Sequence, residues 1–306
     1  MKIAIAGSSG LVGRSLVAHL RTGGAEVLRL VRRTAAAADE VEWDPARGLI
    51  GVEKLATVDA LVNLAGENIA EGRWTKARKI ALRTSRLDST RLLAETIAHR
   101  PWRPRVWLNA SAVGYYGTRA DEILEETSSP GAGFLAELCR DWEAATAPAQ
   151  AVGVRVVQLR LGVVLTPGGG ALREMLPWFR RGVGGPVGDG RNWMSWIALE
   201  ELLRVIDSAL VNPALCGPVN AVSPQPLRQV EFAAALGRAL GRPATMRTPA
   251  MVIRLGFGEM GEATVLASQR VRPAALERSG FAFGPSGLEE VLRAQFVESG
   301  EGAPPA

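Results

Sequence analysis

Short apolar runs and helical apolar stripes take turns along the first half of the chain. Ile3 to Ala6 reads as a buried strand, and Leu11, Val12, Leu16, Val17 and Leu20 then recur at helical intervals. Glu26 to Val31 predicts a second strand. Val41 to Asp44 predicts a short third one that ends in a turn at Asp44-Pro45. Asp59 to Gly66 predicts a strong strand that runs out into Glu67 and Asn68. Arg73 to His99 predicts a long helix, apolar at Ile80, Leu87, Leu92, Leu93 and Ile97 and closed by Pro101 and Pro104. Arg105 to Ala110 gives another strand, Gly133 to Ala147 a helix, and Val154 to Arg160 a strand. Strands alternating with helices up to residue 165 predict βαβ units. The fold class that follows is α/β, a Rossmann-type doubly wound parallel sheet.

Past Leu165 the rhythm changes. Thr166 to Gly170 is a glycine-rich turn, Met175 to Arg181 a helix, and Gly182 to Gly190 a second glycine-rich stretch. Trp193 to Ile197 predicts a short strand whose alternation puts Trp193, Ser195 and Ile197 on one face. Leu199 to Val211, Leu227 to Leu240 and much of Arg242 to Arg293 predict helices, with a strand at Gly217 to Val222. The expected organisation is a dinucleotide domain over 1–165 to which 191–222 returns. A smaller mixed α/β C-terminal substrate part covers 166–190 and 223–300, and 301–306 is a flexible tail.

The first strand and helix are joined by Gly7-Ser8-Ser9-Gly10-Leu11-Val12-Gly13. Between a strand and a helix, such a glycine triplet predicts a phosphate site. Gly7 makes the tight turn, Gly10 lets a pyrophosphate approach the backbone, and Gly13 lets the helix pack closely. The helix N-terminus then offers its unpaired N–H groups to the anion. At the end of the second strand, a carboxylate would accept from the adenosine ribose and select NAD. Here Val31 is followed by Arg32 and Arg33, which favours the 2′-phosphate of NADP(H) over NAD(H). The competing reading is two solvated arginines.

Composition narrows the classes further. The 306 residues are 47% hydrophobic and 22% charged, as in soluble globular proteins. No apolar run approaches the ~20 residues of a membrane span. Met1-Lys2 leads straight into a strand, so no signal peptide is expected. Only Cys139, Cys216, His19 and His99 could supply soft metal ligands, so no metal site is expected. The two cysteines suggest a reducing, cytoplasmic setting. A net charge of +5 with dispersed arginines points to no nucleic-acid surface. The expected partner is a small-molecule substrate, with a homodimer allowed.

Several segments together resemble the extended short-chain dehydrogenase/reductase superfamily, and within it the atypical NAD-dependent epimerase-like family with a C-terminal domain of unknown function. They are the glycine turn, Asn63-Leu64-Ala65-Gly66-Glu67-Asn68-Ile69, Ser85-Arg86, and Ser111-Ala112-Val113-Gly114-Tyr115-Tyr116-Gly117. Further on come Phe134-Leu135-Ala136, Trp142-Glu143-Ala144, Arg160-Leu161-Gly162-Val163-Val164-Leu165, and Gly280-Phe281-Ala282-Phe283. The resemblance implies a nicotinamide dinucleotide on the carboxyl edge of the sheet, with a substrate cleft between that edge and the C-terminal part. It implies that Asn63, Leu64, Ala65, Gly66, Glu67 and Arg86 line the ribose side, and that Arg160, Gly162 and Val163 pass beside the nicotinamide. Ser111 matches the catalytic serine.

One departure matters. The superfamily uses a Tyr with a Lys four residues later as its acid/base pair. This chain has only Tyr115 and Tyr116, and its last lysine is Lys79. Phe134, Leu135, Leu138 and Cys139 stand on the helix where the pair belongs. Three readings stay open. In the first, Tyr115 or Tyr116 supplies the phenol beside Ser111, with Arg86 or Arg140 as the cation, in an oxidoreductase or epimerase acting on a small carbonyl or nucleotide-sugar compound. In the second, hydride transfer needs only Ser111. In the third, the chain is an inactive NADP(H)-binding, redox-responsive module. Glu67 reads equally as a base or a helix cap, and Glu143 as structural. Trp193 and Trp196 read as core, and Arg191 as a meeting point for a sugar-nucleotide phosphate.

Overall fold

The computed structural model describes residues 1–285 and 287–298; the expected flexible tail lies outside them. The chain divides into two compact units. The first consists of Met1–Ala112, Glu137–Arg160 and Leu203–Val219. The second consists of Val113–Ala136, Leu161–Leu202 and the chain from Asn220 onward. The segment returning to the first unit is thus 203–219, and residues 113–136 go with the second.

In the first unit, β1 (Lys2–Ala6) leads into α1 (Leu11–Thr22), and β2 (Glu26–Val31), β3 (Glu40–Asp44) and the short β4 (Leu49–Ile50) follow. Then come β5 (Ala60–Asn63), α2 (Lys76–His99) and β6 (Val106–Ala112). The main sheet has eight strands in the order Gly217–Ala221, Arg155–Leu161, β6, β5, β1, β2, β3, β4. β1 pairs in parallel with β2 and β5, β2 with β3, and β5 with β6, whereas β3 and β4 are antiparallel. Ile3 faces Val27 on one side and Ala60 on the other. Strands buried on both faces read as continuous apolar runs, and Ile3, Ala4, Ile5 and Ala6 are all fully buried. The chain reverses direction through the sheet at β1, whose neighbours are the second and fifth strands. That is the switch point where such sheets take ligands.

Helix α2 starts at its Thr75 cap, whose hydroxyl accepts from the Arg78 N–H at 3.1 Å. The predicted helix at 133–147 is split into α3 (Phe134–Ala144) and a short helix at Ala147–Ala151. At the end of β3 the Asp44 carboxylate accepts from Ala46 N–H at 3.1 Å and caps the turn.

The second unit has its own core, where Leu165, Leu172, Leu176, Phe179, Trp196, Phe232, Leu236, Leu292 and Phe296 pack together. The predicted strand at 193–197 breaks at Ser195. Trp193–Met194 pairs with Leu227–Arg228, and Trp196–Ala198 with Val163–Leu165. Ser195 accounts for the break, because its hydroxyl donates to Gln269 O (2.7 Å) and accepts from Val271 N–H (3.0 Å).

Candidate dinucleotide site

The glycine turn is built as its spacing predicts. Gly7 has φ +79°, and a Cβ there would lie 2.6 Å from the Leu64 carbonyl. A Cβ on Gly13 would lie 2.1 Å from Gly7 O, so only glycine allows α1 to sit this close to β1. Gly10 caps α1 with extended backbone and no side-chain hydrogen bond, and the first turn holds no acidic residue. The first amides of α1 therefore receive no side-chain acceptor and present a positive end to an anion. Ser9 and Gly10 are exposed, Leu11 and Val12 are half-buried, and Ser8 is buried beneath the turn. A turn drawn this close to β5 and α1, beside uncapped helix amides, fits a pyrophosphate.

The two arginines after β2 separate. Arg33 forms a fork with Glu40, Nη1 to Oε2 at 2.8 Å and Nη2 to Oε1 at 2.5 Å. Glu40 also accepts from Ala36 N–H at 2.8 Å and lies 3.0 Å from Arg29. The Arg33 hydrogen bond, followed by that of Ala36, draws the Glu40 carboxyl down to about 2. The Arg32 side chain is 72% exposed, and among the described residues its only ion-pair contact is with Glu67, at 4.0 Å. Of the expected pair, Arg32 alone is left facing solvent without a close partner.

The strand end at Asn63 is organised from below. Asn63 is fully buried; its Nδ2 donates to Asn109 Oδ1 (2.8 Å) and Thr90 Oγ1 (3.1 Å), and its Oδ1 accepts from Ala65 N–H (3.2 Å). Asn63 thus shapes the Leu64–Gly66 bend instead of projecting from it. Glu67 caps no helix: its backbone N–H donates to Ser85 Oγ, and its carboxylate accepts from Arg78 at 3.4 Å. Arg86 lies under Gly66 and donates to the carbonyls of Glu67 (3.0 Å) and Leu82 (3.1 Å).

Residues 3–220 match the NAD dependent epimerase/dehydratase family, and residues 248–295 match a domain of unknown function, DUF1731. The chain belongs to the NAD dependent epimerase/dehydratase family. It is 47% identical over 290 residues to epimerase family protein Mb2239 of Mycobacterium bovis, covering 95% of this chain and 96% of that one. The crystal structure of human epimerase family protein SDR39U1 with NADPH superposes with a TM-score of 0.86 at 32% identity, covering 96% and 98% of the two chains. UDP-glucuronic acid 4-epimerase from Bacillus cereus, solved with UDP-glucuronic acid and NAD, shares the fold at TM-score 0.74 and 16% identity, covering 97% and 98%.

In this epimerase-family chain the residues expected to do chemistry are placed unevenly. Ser111, at 2% exposure, donates to Glu143 Oε1 at 2.6 Å. Arg160, also 2% exposed, grips the same carboxylate with Nε on Oε1 and Nη2 on Oε2, both at 2.8 Å. The Cys139 thiol lies one turn before Glu143, within hydrogen-bonding reach of Ser111, and burial raises it to about 12, so it stays protonated. With its proton on Glu143, Ser111 has none to give a carbonyl. Tyr116 is fully buried and donates to Asn220 Oδ1 at 2.7 Å within the second unit. Tyr115 is half-buried and meets the Tyr116 ring edge-on at 5.4 Å. Gly162 is fixed by packing, since a Cβ would lie 2.8 Å from Ser195 O, and Val163 N–H donates to that same oxygen. Sequence reasoning treated Glu143 as structural and missed its hold on Ser111 and Arg160. The spacing of Cys139 and Glu143, four apart on one helix face, was the available signal. Among the described residues, no three His, Cys, Asp or Glu side chains converge as a metal site, and no helix is long and apolar enough to cross a membrane.

Proposed function

We propose that this chain binds NADP(H) at the glycine turn and is an oxidoreductase or epimerase-like enzyme of a small carbonyl or nucleotide-sugar compound, working without a Tyr-x-x-x-Lys pair. The carrying observation is the close approach of the turn to β5 and of α1 to β1 that only glycine at 7 and 13 permits, at the uncapped start of α1. The turn holds the diphosphate, Arg32 meets the 2′-phosphate, and the bend at Leu64–Gly66 borders the ribose side. The bound nucleotide supplies or accepts the hydride. Tyr115, half-buried beside the fully buried Tyr116, is the candidate phenol. The NADPH held by human SDR39U1 supports this choice of cofactor. A small-molecule substrate, no nucleic acid and a cytoplasmic setting complete the reading, with a homodimer allowed.

The hydrogen bonds of Ser111 to Glu143 and of Tyr116 to Asn220 favour a second reading, a redox-responsive NADP(H)-binding module without turnover. Titration of NADPH and NADH by tryptophan fluorescence tests the shared premise. NADPH should bind more tightly, and Gly13→Ala should abolish binding of both; equal or tighter NADH binding refutes the cofactor assignment. A panel of carbonyl compounds and nucleotide sugars with NADPH separates enzyme from module.

A further inference from the structure

The second unit carries a cavity of about 240 Å³ that the dinucleotide reading leaves unused. On one side stand the strand Trp196–Ala198 and the start of the helix Leu199–Val211. On the other stand Phe283 to Pro285 and the helix Leu288–Glu298. Phe283 to Gln295 fall within the matched domain of unknown function. The apolar part of the lining is held in place. Trp196 is 2% exposed, and its indole N–H donates to Gln225 O at 3.0 Å. Phe283, from the Gly280–Phe283 motif, meets the Phe281 ring edge-on at 4.9 Å.

The charged lining is negative throughout: Glu200, Glu201 and Glu290. Glu201 accepts from Gly284 N–H at 3.2 Å. Among the described residues, no cation lies within ion-pair distance of Glu200 or Glu290. Glu289, next in sequence to Glu290, is by contrast held by Arg238 and Arg293. Gln295 gives an independent observation. Its side chain lines the cavity at 4% exposure, and its Nε2 donates to Leu165 O (3.0 Å) and Glu200 Oε2 (2.7 Å). Turning the amide over would set oxygen against both of these oxygens, so the orientation is fixed. Its Oε1 is then the atom left over, buried and without a donor from the protein. Buried carbonyl oxygens of this kind are normally hydrogen-bonded.

A ligand that complements this lining brings donors, positive charge and an apolar body. An ammonium has three N–H donors and no acceptor, and aromatic rings favour a cation and its alkyl or aryl body beside them. A bare metal ion does not match, because among the described residues no three His, Cys, Asp or Glu side chains converge. Drug-sized ligands occupy about 300–1,000 Å³, so the cavity suits a smaller molecule. We propose that it binds a small primary amine with an apolar body, the ammonium held by Glu200, Glu290 and Gln295 Oε1 and the body by Trp196 and Phe283. The C-terminal motif thereby gains a ligand-binding role separate from the glycine turn, and this role stands whether or not NADP(H) binds there.

The test uses the full chain without cofactor. Benzylamine, 2-phenylethylamine and cyclohexylmethylamine are the probes, and benzyl alcohol, 2-phenylethanol and cyclohexylmethanol are uncharged controls of the same shape. Saturation-transfer NMR and thermal shift report binding. The amines should raise the melting temperature with concentration and bind at least tenfold more tightly than the alcohols. Glu200→Gln combined with Glu290→Gln should weaken amine binding at least tenfold, whereas Glu289→Gln should change it less than about twofold. Phe283→Ala should weaken the amines and the alcohols alike, and it reads the same cavity if the double variant fails to fold. The proposal is overturned if no amine binds, if the alcohols bind as well as the amines, or if the folded double variant binds amines as the wild-type protein does. It is also overturned if calcium or magnesium ions give the same thermal shift and lose it in the double variant, which would make this a metal site. Binding of a lysine-containing peptide where the free amines do not bind would overturn it in favour of a protein-docking groove.

Discussion

Replacing Glu143 by Gln isolates the buried charge pair that closes the β6 edge. The carboxylate receives three hydrogen bonds, one from Ser111 and two from Arg160. Glutamine keeps one oxygen and can satisfy Ser111 and Arg160 Nε with it. Its amide N–H2 then faces Arg160 Nη2, donor against donor. More costly, the guanidinium stays at 2% exposure after losing the carboxylate that its Nε and Nη2 both hold. Removing one partner of a buried pair costs about 3–5 kcal/mol. That is about a fifth or more of the ~5–15 kcal/mol stability of a typical domain. Urea unfolding followed by circular dichroism, without cofactor, reads the loss as a lower midpoint at unchanged slope. Glu143→Leu combined with Arg160→Met removes both charges and should recover over half of it, because an apolar replacement leaves no unpaired ion. A Glu143→Gln cost below about 1 kcal/mol would refute the reasoning, since that is the worth of an exposed pair. So would a double variant whose cost equals the sum of the single variants, because strictly additive costs mean the two side chains are not coupled.

Other consequences follow from the same coordinates. Arg32→Ala should weaken NADPH binding by tenfold or more and leave NADH unchanged, whereas Arg33→Ala should alter the NADPH/NADH ratio less than threefold, because its guanidinium is held by Glu40; fluorescence titration of both variants decides. Cys139 is raised to about 12 when folded, above its usual value near 9. Its contribution is therefore full below about pH 9 and is lost as pH rises toward 12, at about 1.4 kcal/mol per pH unit. Urea midpoints at pH 8 to 10 should fall more steeply for the wild-type protein than for Cys139→Ala. A thiol reagent should label exposed Cys216 promptly and buried Cys139 only on unfolding.

What could be read from the sequence was local. Gly7, Gly10 and Gly13 lie within one turn, and the structure gives Gly7 and Gly13 the roles their spacing implies. Buried parallel strands announced themselves at Ile3–Ala6 and around Leu61 because both faces are apolar. The contacts that stayed hidden lie where a partner is distant or on another strand. Arg33 was read as facing the ribose because nothing local revealed Glu40, which reaches it only once β3 lies beside β2. Tyr116 was a candidate acid until Asn220, 104 residues on, took its proton. Ser195 broke a strand that alternation alone would continue, because Gln269 and Val271 use its hydroxyl from 74 and 76 residues away.

The helix carrying Cys139 and Glu143 shows how far the chemistry of this edge has been rewritten. The superfamily that the sequence resembles places a phenol and an ammonium there, four residues apart. Here a protonated thiol and a carboxylate stand four apart, and Arg160 neutralises the carboxylate. α3 therefore contributes no net charge through these residues to the edge. A cation on another helix, Arg86 of α2, packs over the Trp142 ring and beneath Gly66. A lysine ammonium is a point charge that can hold a ribose hydroxyl and lower the pKa of a phenol, but a guanidinium fork is shaped for a planar anion.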